Sequence, residues 1–317
     1  MKSTNATQLN CTSCKRREPF FFRPYSGQRL CKKCFIESIE KKVRATIAKH
    51  EMFSFNDKIA VAVSGGKDSL SLLQILSKME KLCPKASIVA VTVDEGIRGY
   101  RDEAMEIAAA KCKELGIAQH IVSFTELYGY TLDEIVAKNR QREENELTPC
   151  AYCGVLRRRA LNVAARTLGA TKIATGHTLD DEVQTILMNV FRGDIVRLAK
   201  EKPVTDRVHS KFVQKVKPLC EIPEKESALY AYVKKIKFQA TPCPYASEAF
   251  RNDARAIFNR MEESYPGTKF TVFNFSERLR PVLDSFSSKG NYEECSECGE
   301  PASGGLCKVC ELLKQLR

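Results

Sequence analysis

The feature that most constrains the fold is an alternation of short apolar runs with longer stretches of helical spacing. Apolar runs rich in β-branched residues predict buried strands at 58–63, 88–93, 120–124 and 172–175. Helical spacing predicts helices at 68–79, 101–115, 131–139, 155–168 and 179–191. This alternation predicts an α/β fold with a doubly wound parallel sheet, in which ligands bind at the carboxyl ends of the strands.

A glycine-rich turn follows the first predicted strand and opens a helix. Glycines let the backbone approach an anion closely, and the amides and dipole at the helix N-terminus attract it. A lysine and two serines add donors, but the spacing is not that of a Walker A loop. The sequence therefore predicts a nucleotide-phosphate loop formed by Val63, Ser64, Gly65, Gly66, Lys67, Asp68 and Ser69.

Cysteines are numerous, with 14 in the chain, and in a reducing compartment such patterns indicate metal binding or catalysis. Eight of them form paired Cys-x2-Cys motifs near the two ends of the sequence, with the spacing of four-thiolate structural zinc sites. The predicted zinc ligands are Cys11, Cys14, Cys31 and Cys34 in the first site, and Cys295, Cys298, Cys307 and Cys310 in the second.

The pattern changes after about residue 213, where a short strand at 212–216 precedes helices near 224–236 and 246–264. We interpret this region as a C-terminal extension of the α/β domain and the segment 276–292 as a linker. The predicted domains are an N-terminal zinc ribbon at 1–40, an α/β domain at 41–275, and a linker with a C-terminal zinc ribbon at 276–317.

Three further cysteines form a separate set, Cys150, Cys153 and Cys243. The first two open a predicted helix, and a helix N-terminus is expected to lower the pKa of a thiol. Three thiolates are one short of a closed zinc site, whereas an iron–sulfur cluster with three protein thiolates keeps one iron open. The residues alone leave three interpretations: such a cluster, a zinc site completed by Cys220 or a histidine, or a redox pair that carries a persulfide.

The formal net charge of +12 favours a polyanionic partner, with nucleic acid as the first candidate. No segment approaches the roughly 20 apolar residues of a membrane helix, and residues 1–10 lack the apolar core of a secretory signal. We therefore expect a cytoplasmic protein with no membrane partner.

The string SGGKDS (64–69) is similar to the signature of the PP-loop ATP pyrophosphatases, which adenylate an oxygen and release pyrophosphate. The string GHTLDD (176–181) resembles an element of the members that modify RNA. This resemblance implies ATP bound with Mg²⁺, and catalytic roles for Lys67 and Asp181. Beyond the loop, the implied ATP-binding residues are Asp94, Gly176, His177 and Asp181.

Longer strings resemble the cytosolic tRNA 2-thiolation family in its archaeal type, within the wider group of TtcA-like and TtuA-like thiolases. The resemblance covers most of residues 11–310. The strings that carry it are PCAYCG (149–154), TPCPYA (241–246), DEGIRGYRDEA (94–104), ELYGYTLDEIV (126–136), CGVLRRRAL (153–161) and MNVFRGDIVRL (188–198). It implies a catalytic [4Fe-4S] cluster held by Cys150, Cys153 and Cys243.

The implied activity is that of an ATP-dependent tRNA uridine 2-sulfurtransferase. Such an enzyme adenylates the C2 oxygen of uridine and replaces it with sulfur by means of the cluster, and it forms AMP and pyrophosphate. The wobble uridine is the favoured target; the alternatives are a T-loop uridine, as in TtuA, and a PP-loop tRNA ligase that does not thiolate.

The resemblance also implies partners. These are tRNA, and as sulfur source either sulfide or a ubiquitin-like carrier; a homodimer would suit the family. TtuA-like sequences tend to carry lysine where this chain has Arg157. Because arginine keeps its proton, we assign Arg157 and Arg158 to RNA contacts rather than to proton transfer.

Overall fold

The N-terminal segment forms a short hairpin followed by a long helix. Strand β1 (Phe21–Arg23) pairs antiparallel with β2 (Gln28–Leu30), and helix α1 (Lys32–Lys49) begins directly after Cys31. The structure is a computed structural model that describes residues 10–141, 147–248, 250–286 and 292–316.

A five-stranded sheet forms the centre of the protein, and all of its neighbouring strands run parallel. Its strands are β3 (Lys58–Ala62), β4 (Ser87–Asp94), β5 (Gln119–Ser123), β6 (Lys172–Ala174) and β7 (Gln214–Val216). Their spatial order is β5-β4-β3-β6-β7. The chain therefore moves outward from β3 to β5 and then returns to the other side of β3, which opens a crevice at the carboxyl ends of β3 and β6.

Helices connect these strands and continue beyond them. Those that lie between β3 and β7 are α2 (Lys67–Glu80), α3 (Arg101–Leu115), α4 (Phe124–Tyr128), α5 (Leu132–Arg140), α6 (Pro149–Thr167), α7 (Leu179–Phe191) and α8 (Ile195–Lys200). The elements after β7 are α9 (Glu224–Val233), α10 (Arg251–Ser264), α11 (Thr268–Leu283), β8 (Glu293–Glu294), β9 (Pro301–Ala302) and α12 (Lys308–Lys314).

The two faces of the sheet bury separate hydrophobic cores, because successive side chains of a strand point to opposite faces. In β3, Ile59 and Val61 join a core with α2, α3 and α9, whereas Ala60 joins a core with α5 and α6. Helices thus cover both faces, and the predicted doubly wound parallel sheet is confirmed.

The region after residue 213 completes the same domain. Strand β7 is one of the two edge strands of this sheet, and Tyr230 of α9 is buried in the core that contains α2. This confirms the interpretation of a C-terminal extension. Within the described residues, no helix has both the length and the apolar character needed to cross a membrane.

The predicted linker at 276–292 is wrong for its first half. Helix α11 runs across the predicted boundary at 275/276, and its residues Phe273, Ser276 and Leu283 are buried. Pro281 and the polar content of this stretch are typical of a linker, but tertiary packing keeps it helical. Helix α1 likewise crosses the predicted boundary at 40/41, so both predicted boundaries fall inside helices.

Candidate nucleotide and thiol site

The loop between β3 and α2, residues 63–69, is pressed between two other segments. Gly65 has a φ of +84°, and a Cβ atom there would lie 2.4 Å from the carbonyl oxygen of Ala104 in α3. A Cβ atom on Gly176, which follows β6, would lie 2.9 Å from the amide nitrogen of Ser69. Only glycine fits both positions, so packing holds this loop, hereafter the PP-loop, against its neighbours.

Internal hydrogen bonds complete the loop. The Ser69 hydroxyl accepts from the amide of Ser64 at 3.1 Å and donates to the carbonyl of Gly66 at 3.0 Å. Helix α2 begins at Lys67, so the positive end of its dipole lies at the loop. A helix N-terminus of this kind binds phosphate through its backbone amides.

A cavity of about 520 Å³ opens over the PP-loop and the carboxyl ends of β3, β4 and β6. Its volume lies in the range of small-molecule and cofactor sites. Most of the predicted ATP-binding residues line it: Val63, Ser64, Gly66, Asp68, Ser69, Gly176, His177 and Asp181.

Three predicted residues do not line this cavity. Gly65 packs against α3, and the Lys67 ammonium is paired with Asp68 at 2.9 Å and with Glu224 of α9 at 2.7 Å. The Asp94 carboxylate accepts a hydrogen bond from the Gly96 amide at 2.9 Å. Their predicted roles in ATP binding, and that of Lys67 in catalysis, stay predictions.

Asp181 and His177 lie next to each other at the cavity. Burial opposes ionisation of Asp181, but His177 and the hydrogen bonds from Thr178 outweigh it and lower the pKa of that carboxyl. One oxygen of Asp181 accepts from both the amide and the hydroxyl of Thr178, each at 2.9 Å. Burial lowers the pKa of His177 to about 4, so the imidazole is neutral near pH 7. An ionised carboxylate at this place suits a hard cation such as Mg²⁺.

Sequence reasoning missed the ion pair that fixes the PP-loop to the sheet. Arg101 is buried and lies 2.8 Å from the carboxylate of buried Glu95. Its guanidinium also donates to the carbonyls of Ser64 at 3.1 Å and Val93 at 2.6 Å. Both charged residues belong to the string 94–104. Two opposite charges next to the end of a predicted strand were therefore the signal from which the ion pair could have been predicted.

A second set of charged residues without a sequence signal surrounds the cavity. Arg251 donates to the carbonyl of Asp181 at 3.2 Å and to the hydroxyl of Thr185 at 3.0 Å. Lys217 lies 2.9 Å from Glu182 and is also paired with Glu201. These residues come from separate elements, so only the tertiary structure brings them together.

The three thiols of the middle set lie within electrostatic range of one another, but their sulfur atoms are not all within 4.8 Å of one another. Pro149 occupies the first turn of α6, so Cys150 and Cys153 lie in the first two turns of that helix. The helix begins six residues before the predicted start at 155. Gly154 and Arg157 follow Cys153 on the helix, and both line the cavity.

Contacts to three different elements fix the segment that carries Cys243. The amide of Gln239 donates to the carbonyl of Gly65 in the PP-loop at 3.0 Å. The Tyr245 hydroxyl donates to Asp133 of α5 at 2.7 Å, and the Cys150 thiol lies 3.9 Å from the Tyr245 carbonyl. The thiol segment and the nucleotide loop are therefore directly connected.

The expectation of lowered thiol pKa values at the start of α6 is wrong for the chain by itself. Burial raises the pKa of Cys153 to about 11, although Arg157 opposes the shift. Burial and then the negative charge of Cys243 raise the pKa of Cys150. Burial and the neighbouring thiols outweigh the helix N-terminus at Cys150 and Cys153, and a bound cation would favour the ionised form of both.

The two terminal four-cysteine sets have the geometry of a single tetrahedral ion. Sulfurs bound to zinc at about 2.3 Å stand roughly 3.8 Å apart. The Sγ–Sγ distance is 3.9 Å for Cys14–Cys31 and 3.6 Å for Cys298–Cys307. Among the described residues, these two sets alone bring three or more ligand atoms within 4.8 Å of one another.

The structure does not complete the middle set with a fourth cysteine. Cys220 is buried in the core that contains α2, whereas Cys153 and Cys243 pack against the core on the other face of the sheet. The interpretation of a zinc site completed by Cys220 is therefore wrong.

Comparisons with known proteins agree with this geometry. Residues 36–261 match the PP-loop domain family. The chain is 39% identical over 316 residues to a probable sulfurtransferase of Methanocaldococcus jannaschii, with 99% of this chain and 90% of that protein covered. It is 34% identical to the tRNA 2-thiolation protein NcsA of Haloferax volcanii, with 97% and 99% covered.

A solved structure is also similar over nearly the whole length. The U34-tRNA thiolase NcsA from Methanococcus maripaludis with its [4Fe-4S] cluster superposes with a TM-score of 0.84 at 35% identity. The alignment covers 98% of this chain and 97% of that one. The chain belongs to the PP-loop tRNA 2-thiolation family.

In this member of the 2-thiolation family, the donor set fits an iron–sulfur cluster. Three thiols from two segments lie in electrostatic range of one another but are spaced more widely than the two terminal sets, which suits a multi-iron cluster with one open iron rather than a single ion. Arg157 and Arg158 both line the cavity, and Arg157 lies 3.6 Å from Glu95. Arg157 therefore lies between Cys153 and Glu95, and the contact of both arginines with RNA stays a prediction.

Proposed function

We propose that this protein is an ATP-dependent tRNA uridine 2-sulfurtransferase that acts on the wobble uridine in the cytoplasm. One observation carries the proposal: the PP-loop lines the same cavity as Gly154 and Arg157 of α6, which directly follow Cys153 on that helix. A related protein is named a U34-tRNA thiolase, and other relatives are named cytoplasmic tRNA 2-thiolation proteins.

The PP-loop side of the cavity performs the activation step. The triphosphate of ATP binds the loop amides and the N-terminus of α2, and Asp181 holds its Mg²⁺ ion. The C2 oxygen of the uracil attacks the α-phosphate, and pyrophosphate leaves. Arg251 and Lys215, which line the cavity, stabilise the negative charge that develops on the phosphate oxygens.

The α6 side of the cavity performs the sulfur transfer. Cys150, Cys153 and Cys243 would hold a [4Fe-4S] cluster, and when bound it would supply an open iron position for the incoming sulfur. Arg157 lies between Glu95 and Cys153, where its charge stabilises both the thiolate and the departing AMP. The protein contributes positioning and electrostatic stabilisation to both steps.

Further parts of the proposal concern the metals and the partners. Two structural zinc ions occupy the terminal four-cysteine sites, whose sulfur separations fit zinc. The sulfur comes from sulfide or from the thiocarboxylate of a ubiquitin-like carrier, and the protein works as a homodimer. We also propose that the chain consists of a ribbon at 1–40, a central domain at 41–275, and a linker with a second ribbon at 276–317. Helices α1 and α11 run across the two boundaries between these parts.

Positional mapping of the new sulfur tests this proposal. The protein is reconstituted without oxygen, given ATP, Mg²⁺, sulfide and tRNA free of thiolation, and the tRNA fragments are sequenced by mass spectrometry. Sulfur at the wobble uridine is the expected result, and Cys150→Ala abolishes it while Cys83→Ala, which lies outside the thiol set, does not. Sulfur in the T-loop would place the enzyme with TtuA. Pyrophosphate release without thiolation would indicate a PP-loop ligase instead.

A further inference from the structure

An exposed patch of two phenylalanines and an arginine lies where α7 ends and α10 begins. Phe191 is 54% exposed and Phe250 is 39% exposed, and their ring centroids are 6.4 Å apart. The guanidinium of Arg192 lies 5.1 Å from the centroid of the Phe250 ring. Hereafter the Phe–Arg patch means Phe191, Arg192 and Phe250.

The Phe–Arg patch adjoins the cavity of the proposed active site. Arg251, the next residue after Phe250, lines that cavity and donates a hydrogen bond to the carbonyl of Asp181 at 3.2 Å. The other end of the patch continues into α8, whose last residue, Lys200, also lines the cavity. The patch therefore flanks the cavity on the side formed by Lys200 and Arg251.

The charges around the Phe–Arg patch suit a polyanion. The segments 188–200 and 250–255 carry five basic residues and two acidic ones. Exposed aromatic rings together with arginines form the stacking platforms on which proteins bind single-stranded nucleic acid. A purely apolar partner would bind the rings but would leave the surplus positive charge without a counterpart.

We propose that the Phe–Arg patch stacks a tRNA base that flanks the target uridine. This inference rests on the proposed function, because the target base must leave its stack to reach the cavity. Its neighbours then expose their faces, and Phe191 and Phe250 cover one of them while Arg192 contacts the adjoining phosphate. The patch thereby holds the loop open and sets which nucleotide enters.

The test uses the full-length, cluster-loaded protein and RNA stem-loops with 2-aminopurine beside the target uridine. Stacking on an aromatic ring quenches 2-aminopurine fluorescence. The wild-type protein is expected to quench it, and Phe250→Ala and Phe191→Ala are expected to reduce the quenching and to weaken RNA binding roughly 5- to 100-fold. Phe250→Trp restores both, and the KM for tRNA rises while kcat at saturating tRNA changes little.

Phe55→Ala is the matched control. Phe55 is 79% exposed and precedes β3, at the amino ends of the strands and away from the cavity, so its replacement leaves RNA binding unchanged. Thermal unfolding of each variant verifies that the fold is intact.

Several outcomes would overturn the inference. Wild-type RNA affinity and quenching in the Phe191→Ala, Phe250→Ala double variant would exclude base stacking. If the double variant lost only the thiolation that depends on a carrier protein, the patch would be a docking surface for that protein. If the double variant shifted from dimer to monomer, the patch would be a contact between subunits. If the wild-type protein thiolates no RNA at all, whether an anticodon stem-loop, a T-arm stem-loop or a whole tRNA, the proposed function fails. If it thiolates RNA but the patch variants bind RNA normally, only the stacking inference fails, so the two failures are distinguishable.

Discussion

The two four-cysteine sites share their ligand chemistry but pack in different hydrophobic cores. The first site joins the core that contains α1, α2 and α9. The second joins the core on the opposite face of the sheet, together with α5 and α6. One site therefore supports the nucleotide side of the cavity, and the other supports the thiol side.

The N-terminal site reaches the PP-loop through α9. Arg23, in the hairpin between the two cysteine pairs, forms a buried ion pair with Glu226 of α9 at 2.6 Å. Two residues earlier, Glu224 is paired with Lys67 at the start of α2. Helices α2 and α9 also pack against each other. The hairpin thus positions the helix that holds the PP-loop lysine.

The C-terminal site reaches the thiols through α6. Arg159 of α6 donates to the sulfur of Cys298 at 3.5 Å and to that of Cys307 at 3.8 Å. Tyr152 and Leu156, on the same helix, lie in one core with Cys295 and Cys310. The guanidinium that contacts this site is only six residues away from Cys153.

Two similar four-cysteine sets thus support two different sides of the cavity, one through α9 and one through α6. A buried four-thiolate site contributes its binding free energy to the folding of whatever packs on it. Damage to each site should therefore appear in a different property of the enzyme.

The largest effect is expected from removing one thiolate of each site. Cys298→Ser should lose one zinc ion and most of the iron, because α6 is no longer held, while its affinity for ATP stays near the wild-type value. Cys14→Ser should also lose one zinc ion but retain iron, and its ATP affinity should fall about tenfold, equivalent to 1.4 kcal/mol. Elemental analysis measures the metal content of both variants, and titration calorimetry measures their affinity for ATP. Equal loss of iron in both variants would show that the two sites do not support different sides of the cavity.

Replacing the buried arginine of the N-terminal link is expected to have the next largest effect. Arg23→Ala leaves the Glu226 carboxylate buried without its partner, which should lower the free energy of unfolding by about 3–5 kcal/mol. Urea denaturation measures the change. Lys33→Ala, which breaks an exposed pair with Glu37 on α1, should change it by less than about 0.5 kcal/mol.

A smaller effect is expected at the C-terminal link. Arg159→Ala removes charge-assisted contacts to two sulfurs, and hydrogen bonds to charged groups contribute about 1.5–3 kcal/mol each at most. The variant should lose iron to a chelator faster than the wild type, with unchanged ATP affinity. Arg159→Lys should rescue this only in part, because lysine lacks the planar fork. If Arg159→Ala retained iron as well as the wild type does, the C-terminal site would not support the thiols.

The smallest effect concerns the cavity between the two halves. Burial, Arg158 and Lys217 lower the pKa of Lys215 from 10.5 to about 8, so this lysine loses its charge as the pH rises from 7 to 9. ATP affinity should fall by a few-fold over that range, and Lys215→Met should flatten the dependence. A steep dependence that persists in Lys215→Met would assign it to another group.

The stability of the fold responds to Lys215 with the opposite sign. The unfolded chain keeps the proton up to a pKa near 10.5, whereas the folded chain releases it near 8. The unfolded state therefore binds more protons between these values, and this group adds stability as the pH rises through that window.

Local patterns predicted much of the fold. The helices at 101–115 and 179–191 have the predicted bounds, and the ends of the central strands differ from the predicted ends by one or two residues. These elements are predictable because hydrophobic periodicity and β-branching are properties of residues that are close together in the sequence. The start of α6 and the course of α11 were missed, because a proline at N1 and burial against other helices decided them.

For the candidate site, the sequence predicts the PP-loop and the cysteine pairs, because these motifs depend on residues a few positions apart. Three features come from the tertiary structure alone: the side of the cavity that each four-cysteine set supports, the way Arg101 and Arg251 reach the cavity, and the raised pKa values of Cys150 and Cys153. The physical reason is that burial and electrostatic interaction depend on distances through space, and those distances join residues that are far apart along the chain.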